Sequence, residues 1–141
     1  MTTLAISPIA DRDIAHVVAL WQRCGLTRPW NDPAADIALA RRGANSTILV
    51  GRADDRIVAS ALVGHDGHRG WVYYVAVDPD HQGKDFGRAI MAAAEDWLRA
   101  QGLEKVMLMV RADNTKVRAF YDKLGYETQE RSTRSGSTAG R

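Results

Sequence analysis

The chain has 141 residues, 45% hydrophobic and 26% charged, with a formal net charge of +2. This fits one soluble globular domain and excludes a largely disordered chain, a collagen-like repeat and, with Cys24 as the single cysteine, a disulfide scaffold. There is no apolar run near the ~18 residues of a membrane span and no basic segment ahead of an apolar N-terminal stretch, and the net charge gives no strong nucleic-acid footprint. The expectation is a cytoplasmic protein with no membrane and no nucleic-acid partner.

Leu4 to Pro8 reads as a short first strand. Asp11 is a candidate N-cap, and Ile14, Val17, Val18 and Trp21 follow at helical spacing, so residues 11–24 read as an amphipathic helix closed by Gly25. Arg28-Pro29-Trp30-Asn31-Asp32-Pro33 is a turn, with Asp32 as N-cap and Pro33 in the first turn of a second helix reaching about Arg42. Two strand signals follow, Ser46–Arg52 and Ile57–Val63, joined by a turn at Asp54-Asp55. Gly64 to Gly70 reads as a hairpin loop. Trp71 to Val77 is nearly all apolar or aromatic, as a central strand requires.

Asp78 to Asp85 is a polar loop. Phe86, Ile90, Ala94, Trp97 and Leu98 mark one face of a long helix ended by Gly102. Val106–Val110 reads as a buried strand. Asn114 is an N-cap candidate for a helix carrying Val117, Phe120, Tyr121 and Leu124, closed by Gly125, with a weak strand from Tyr126. Residues 130–141 are polar and read as a flexible tail. The expected organisation is a single domain over residues 1–129, of α/β (α+β) class.

The loop from Val77 to Arg88 joins a strand to a helix. Unsatisfied N–H groups and the helix dipole favour an anion at such a point, and glycine lets backbone approach a phosphate. A plain strand-to-helix turn is the alternative. A P-loop is excluded, because Asp78 stands where its first glycine belongs and Asp85 follows Lys84.

Gln82-Gly83-Lys84-Asp85-Phe86-Gly87 resembles the coenzyme A pyrophosphate loop, Gln/Arg-x-x-Gly-x-Gly/Ala, of the GNAT superfamily of N-acetyltransferases. A second block, Val110-Arg111-Ala112-Asp113-Asn114 with Phe120-Tyr121-Asp122-Lys123-Leu124-Gly125-Tyr126, resembles the family's Asn-x-x-Ala-x-x-Phe/Leu-Tyr-x-x-x-Gly-Phe block. The segments 28–33 and 66–70 further resemble the YpeA-type bacterial acetyltransferases. The resemblance implies the GNAT fold, a central mixed, mostly antiparallel sheet flanked by about four helices, with acetyl-CoA as co-substrate. It implies that backbone groups of Val75, Ala76 and Val77 pair with the pantetheine arm, and that Gln82, Gly83, Lys84, Asp85, Phe86, Gly87 and Arg88 surround the pyrophosphate. Asn114 would touch the coenzyme, and Tyr121 would protonate the departing thiolate.

Three positions depart from the family pattern. Asp85 stands where glycine is usual; a carboxylate about 5 Å from a phosphate costs roughly 3 kcal/mol at an effective dielectric near 20, unless it points to solvent or caps the helix. Met109 stands where a glutamate can act as base in similar protein N-terminal acetyltransferases. The tail lacks the alternating pattern of a closing strand, which leaves a sheet edge that a second copy could complete, so a homodimer is one expectation.

The chemistry requires a neutral amine, and a lysine-like amine is neutral in only about 1 in 2,500 molecules at pH 7. Candidate proton acceptors are Tyr73, Tyr74, His65, Asp66 and His68, of which Tyr73 and Tyr74 should face opposite sides of their strand. Tyr74 is taken with Tyr121 as catalytic. Trp30, Asn31, Asp66 and His68 are taken as acceptor-binding, with Trp30 a packing lid or a stacking platform, and Arg28 and Arg69 as groups that could hold an acidic acceptor. No metal site is expected, since His65 and His68 lack further ligands. The expected activity is transfer of acetyl from acetyl-CoA to a primary amine of a small molecule or peptide. The alternative is a GNAT-fold acyl-CoA-binding or interaction module impaired by Asp85.

Overall fold

The computed structural model describes residues 3–108 and 115–127. The chain divides into two compact units, residues 1–106 and residues 107–141. Strands β1 (Ala5–Pro8), β2 (Ser46–Ala53), β3 (Arg56–His65), β4 (Gly70–Val77) and β5 (Val106–Met107) form one sheet in the order β1-β2-β3-β4-β5. The first four are antiparallel neighbours. Gly70 N–H donates to the Lys105 carbonyl at 2.8 Å. Gly70 opens β4 and Lys105 leads into β5, so the chain enters both strands from the same end and the sheet is mixed. The β2–β3 turn has Asp54 at φ 52° and Asp55 at φ 66°, the left-handed pair that a two-residue hairpin needs to match strand twist.

Helices α1 (Ile14–Arg23) and α2 (Pro33–Ala40) cover one face. There Val17, Leu20, Trp21 and Ile37 are buried with Ile48, Val50 and Ala76. Helix α3 (Phe86–Ala100) covers the other, where Phe86 packs with Ala53 and Val58. Gly70 lies beneath α3 so closely that an added Cβ would sit 2.5 Å from a Leu98 methyl.

Two expectations about helix starts are settled differently. Asp32 caps α2 as expected, accepting from the Ala35 N–H at 3.1 Å. Asp11 does not cap α1. It pairs with Arg41 at 2.7 Å, and a 3-10 turn over Asp11–Asp13 precedes the helix. The buried Asp13 accepts instead from the Ala10 N–H at 2.8 Å and pairs with Arg52.

In the second unit, α4 (Thr115–Lys123) is followed by Gly125 at φ 94°. Of the strand expected over Val106–Val110, Val106 and Met107 form β5, and residues 109 and 110 lie outside the described residues. Met109, Asn114 and the tail at 130–141 lie outside the described residues, as does nearly all of the weak strand expected from Tyr126.

Candidate active site

Antiparallel register breaks in the middle of β4. Ser60 faces Ala76 while Leu62 faces Tyr73, so Ala61 alone opposes both Tyr74 and Val75. This is a β-bulge, and Tyr74 carries it at φ 51°, a left-handed conformation uncommon for a bulky residue. Three contacts over-determine it. The Tyr74 ring stacks on Trp21 at 3.9 Å with 6° between planes. Its hydroxyl donates to Asp36 Oδ2 at 2.8 Å. Its carbonyl accepts from Ser60 Oγ at 3.4 Å, and that oxygen accepts from Trp21 Nε1 at 2.8 Å.

The bulge overturns the expectation that Tyr73 and Tyr74 face opposite sides. Both line one groove of about 440 Å³, with Asp36, Leu39, Leu62, Asp66 and Trp71 among its other walls. Burial first, and then the hydrogen bond to Asp36, push the Tyr74 phenol up to about 12. Tyr74 is therefore a donor to Asp36 at neutral pH rather than a base by itself.

The hairpin loop feeds the same groove. Asp66 accepts from the His68 and Arg69 N–H groups, each at 2.9 Å. These two backbone donors, Arg69 first, hold its carboxyl below the usual range. His68 contributes its backbone to that turn and does not line the groove. The ring of His65 lies 6.3 Å from Trp97 of α3, and its Nδ1 accepts from Gly67 N–H at 3.0 Å. Trp30 is neither lid nor groove wall: 79% of it is exposed. Asn31 is also exposed and away from the groove walls. Arg28 is spent locally on the Gly25 and Thr27 carbonyls.

At the other end of β4, Val75, Ala76 and Val77 lead into the polar loop. Buried Asp78 anchors its start. It pairs with Arg23 of α1 at 2.7 Å and accepts from the Asp80 N–H at 2.9 Å. Burial alone would raise this carboxyl; the Asp80 N–H and Arg23 outweigh it and hold the pKa below the ordinary range. Gly83 has φ 85° and open space where a Cβ would stand. Asp85 has φ 63° and ψ 18°, is exposed, and makes no capping bond. Phe86 is buried, so only its backbone is available to a ligand. Gln82, Lys84 and Arg88 are exposed, and Gly87 lies in the first turn of α3. Left-handed glycine, open surface and the free N–H groups of that first turn suit a phosphate-bearing ligand flanked by two cations.

In the second unit, Tyr121 makes edge contacts with Phe120 at 5.0 Å and Tyr126 at 5.8 Å. Burial pushes its phenol up to about 12. It therefore keeps its proton at neutral pH.

The acetyltransferase (GNAT) family model matches residues 15–126. The chain belongs to the GNAT acetyltransferase family. An acetyltransferase of Yersinia pestis (strain Pestoides F) is 43% identical over 118 residues, 84% of each chain. The GNAT fold extends to solved structures of lower identity. The ribosomal-protein-S18-alanine N-acetyltransferase of Escherichia coli matches with a TM-score of 0.77 at 24% identity, covering 98% of this chain and 90% of that one. The PaiA N-acetyltransferase of Thermoplasma acidophilum, solved in complex with coenzyme A, matches with a TM-score of 0.82 at 15% identity, covering 98% and 96%. The chain is thus an acyltransferase of this family. Among the described residues, no helix is long and apolar enough to cross a membrane, and no three His, Cys, Asp or Glu side chains are grouped to hold a metal.

Asp36 of the groove wall, and the buried Ser60 and Trp21 that hold Tyr74 beside it, were not singled out from the sequence as site residues. Each left a signal. Asp36 is the one charge in Pro-Ala-Ala-Asp-Ile-Ala-Leu-Ala, and Ser60 is the one hydroxyl in Ile-Val-Ala-Ser-Ala-Leu-Val.

Proposed function

We propose that this GNAT protein transfers acetyl from acetyl-CoA to a primary amine of a small molecule or peptide, by direct attack of the amine on the thioester. The observation that carries this reading is the bulged β4 strand. One end of it leads into an open, anion-suited loop, and its middle forms the wall of an acidic and aromatic groove. Acetyl-CoA supplies the activated acetyl group. Val75, Ala76 and Val77 would offer backbone groups to the pantetheine arm, and Gln82, Gly83, Lys84, Asp85, Phe86, Gly87 and Arg88 would surround the pyrophosphate. Asn114 would add a coenzyme contact.

Two tyrosines share the proton work. The Tyr74 oxygen accepts a proton from the attacking amine while its own proton passes to Asp36 Oδ2, so the high phenol pKa is no obstacle. Tyr121, protonated at neutral pH, donates to the departing sulfur. The acceptor side is assigned to Asp66 within the groove; Trp30, Asn31 and His68, the other residues expected to bind the acceptor, are not among its walls. The protein would work in the cytoplasm, without nucleic acid or membrane, and a homodimer through the sheet edge accompanies this reading.

Calorimetric titration of acetyl-CoA, followed by an amine screen with Tyr121→Phe as control, tests the proposal. Micromolar binding and amine-dependent thiol release that drops in Tyr121→Phe are expected. If acetyl-CoA binds only to Asp85→Gly, the impaired binding module replaces the enzyme.

A further inference from the structure

We propose that the groove between α2 and β4 docks a primary amine carried on an apolar or aromatic body without a carboxylate, its charge held at Asp66. This rests on the transferase reading and names the class of its acceptor. The walls are largely apolar: Leu39, Leu62, Trp71 and Tyr73. Leu39 is 61% exposed and Tyr73 44% exposed, so the core does not cover them. Trp71 and Tyr73 lie nearly parallel, 9° between planes at 6.4 Å, and a cation is attracted to such ring faces.

Charge then selects the occupant. The ionisable groove walls besides the tyrosines are two carboxylates, Asp36 and Asp66, and the imidazole of His65, whose Nδ1 is taken up by the Gly67 N–H; there is no lysine or arginine. Asp36 already accepts from Tyr74. Asp66 is fixed by two backbone donors, so its carboxylate is in place before a ligand arrives. An acceptor carrying its own carboxylate meets two like charges here and no lysine or arginine to pair with. The groove collects the ammonium form that predominates near neutral pH; one proton leaves to solvent before attack, and the second passes by way of Tyr74 to Asp36 as the C–N bond forms and the C–S bond breaks.

The test is calorimetric titration of 2-phenylethylamine and of phenylalanine, which differs from it by a carboxylate, into the full chain without acetyl-CoA. The amine should bind on the order of tenfold more tightly. Asp66→Asn, whose amide oxygen can still accept from His68 and Arg69, should weaken the amine by about tenfold and narrow the gap. Tyr73→Ala should weaken it too. Raising salt should weaken the amine in the wild type, which reads the charge even if a variant fails to fold. No binding of the amine, equal binding of the two ligands, or amine affinity indifferent to both Asp66→Asn and salt overturns the inference. A separate titration of acetyl-CoA tells the two failures apart. If it does not bind while the amine does, the transferase reading falls and the groove stands; if it binds and the groove shows no preference, the reverse holds.

Discussion

Asp85 carries two separate energies. Its left-handed backbone, φ 63°, costs a non-glycine residue roughly 1 kcal/mol. That strain is already present in the loop before any ligand arrives, so it weighs on folding and not on binding. The carboxylate does weigh on binding. Because the side chain is exposed and caps nothing, water screens it, and the repulsion from a phosphate at about 5 Å falls from roughly 3 kcal/mol toward about 0.8 kcal/mol. We therefore expect Asp85→Gly to tighten acetyl-CoA binding by about fourfold rather than by hundreds. Titrating both forms at two salt concentrations checks this. A gain that persists undiminished at high salt would mean that the carboxylate lies against the phosphate, out of water. Asp85→Gly should change stability by less than about 1 kcal/mol, since glycine's freedom in the unfolded chain offsets the relieved strain.

Strand β4 shows how an element is held in a conformation that its residues do not favour. Tyr74 stays left-handed because stacking on Trp21, the bond to Asp36 and the Ser60 hydroxyl all act at once. Ser60→Ala would leave the buried Trp21 N–H without its acceptor, which costs about 1–3 kcal/mol. The denaturant midpoint should fall with an unchanged slope. Alkaline pH attacks the same element. The Tyr74 phenol lies at about 12, above its unfolded value near 10, so its contribution to stability is full below pH 10 and disappears as pH rises through about 12. Tyr121 moves in the same direction through burial. Melting temperatures should therefore decline between about pH 10 and 12. In Asp36→Asn the Tyr74 part of the phenolate absorbance should titrate earlier; an unmoved curve would show that burial alone sets this phenol.

At the scale of the molecule, the order of elements was legible because strand and helix periods differ and the turns carry their own chemistry. Asp32-Pro33 marked the start of α2 and Asp54-Asp55 the β2–β3 hairpin. The groove was only half legible. Asp66 was named from its loop, but alternation put Tyr73 and Tyr74 on opposite sides, and no local pattern announces that one residue of β3 will face two of β4. Trp30 reads differently: a turn aromatic invites a packing role, yet the ring is largely exposed. Partners distant in sequence, such as Arg23 with Asp78 and Asp13 with Arg52, are invisible to periodicity.

Those two pairs supply the buried part of the chain's response to acid among the described residues. Asp13 and Asp78 are buried, which alone would raise both carboxyls. At Asp13 the Arg52 and Ala10 bonds reverse this, and at Asp78 the Asp80 N–H and Arg23 do, so both fold with lowered values. A carboxyl lowered by folding stabilises above its unfolded value, about 3.9, and loses that contribution as pH falls through the folded one. Stability should thus hold to about pH 4 and drop steeply below it. Arg23→Ala separates the two sites. It leaves Asp78 buried without its cation, and with Arg23 itself 46% exposed we expect a loss of about 1–3 kcal/mol at neutral pH rather than the full penalty of a buried pair. With desolvation then the larger influence, protonating Asp78 becomes favourable, so the variant's stability should fall less steeply than the wild type's below pH 4. Denaturant midpoints at neutral pH and at about pH 3 measure both effects. Parallel pH profiles in wild type and variant would mean that the Asp80 N–H alone holds Asp78 charged, and that Arg23 ties α1 to the loop without governing its titration.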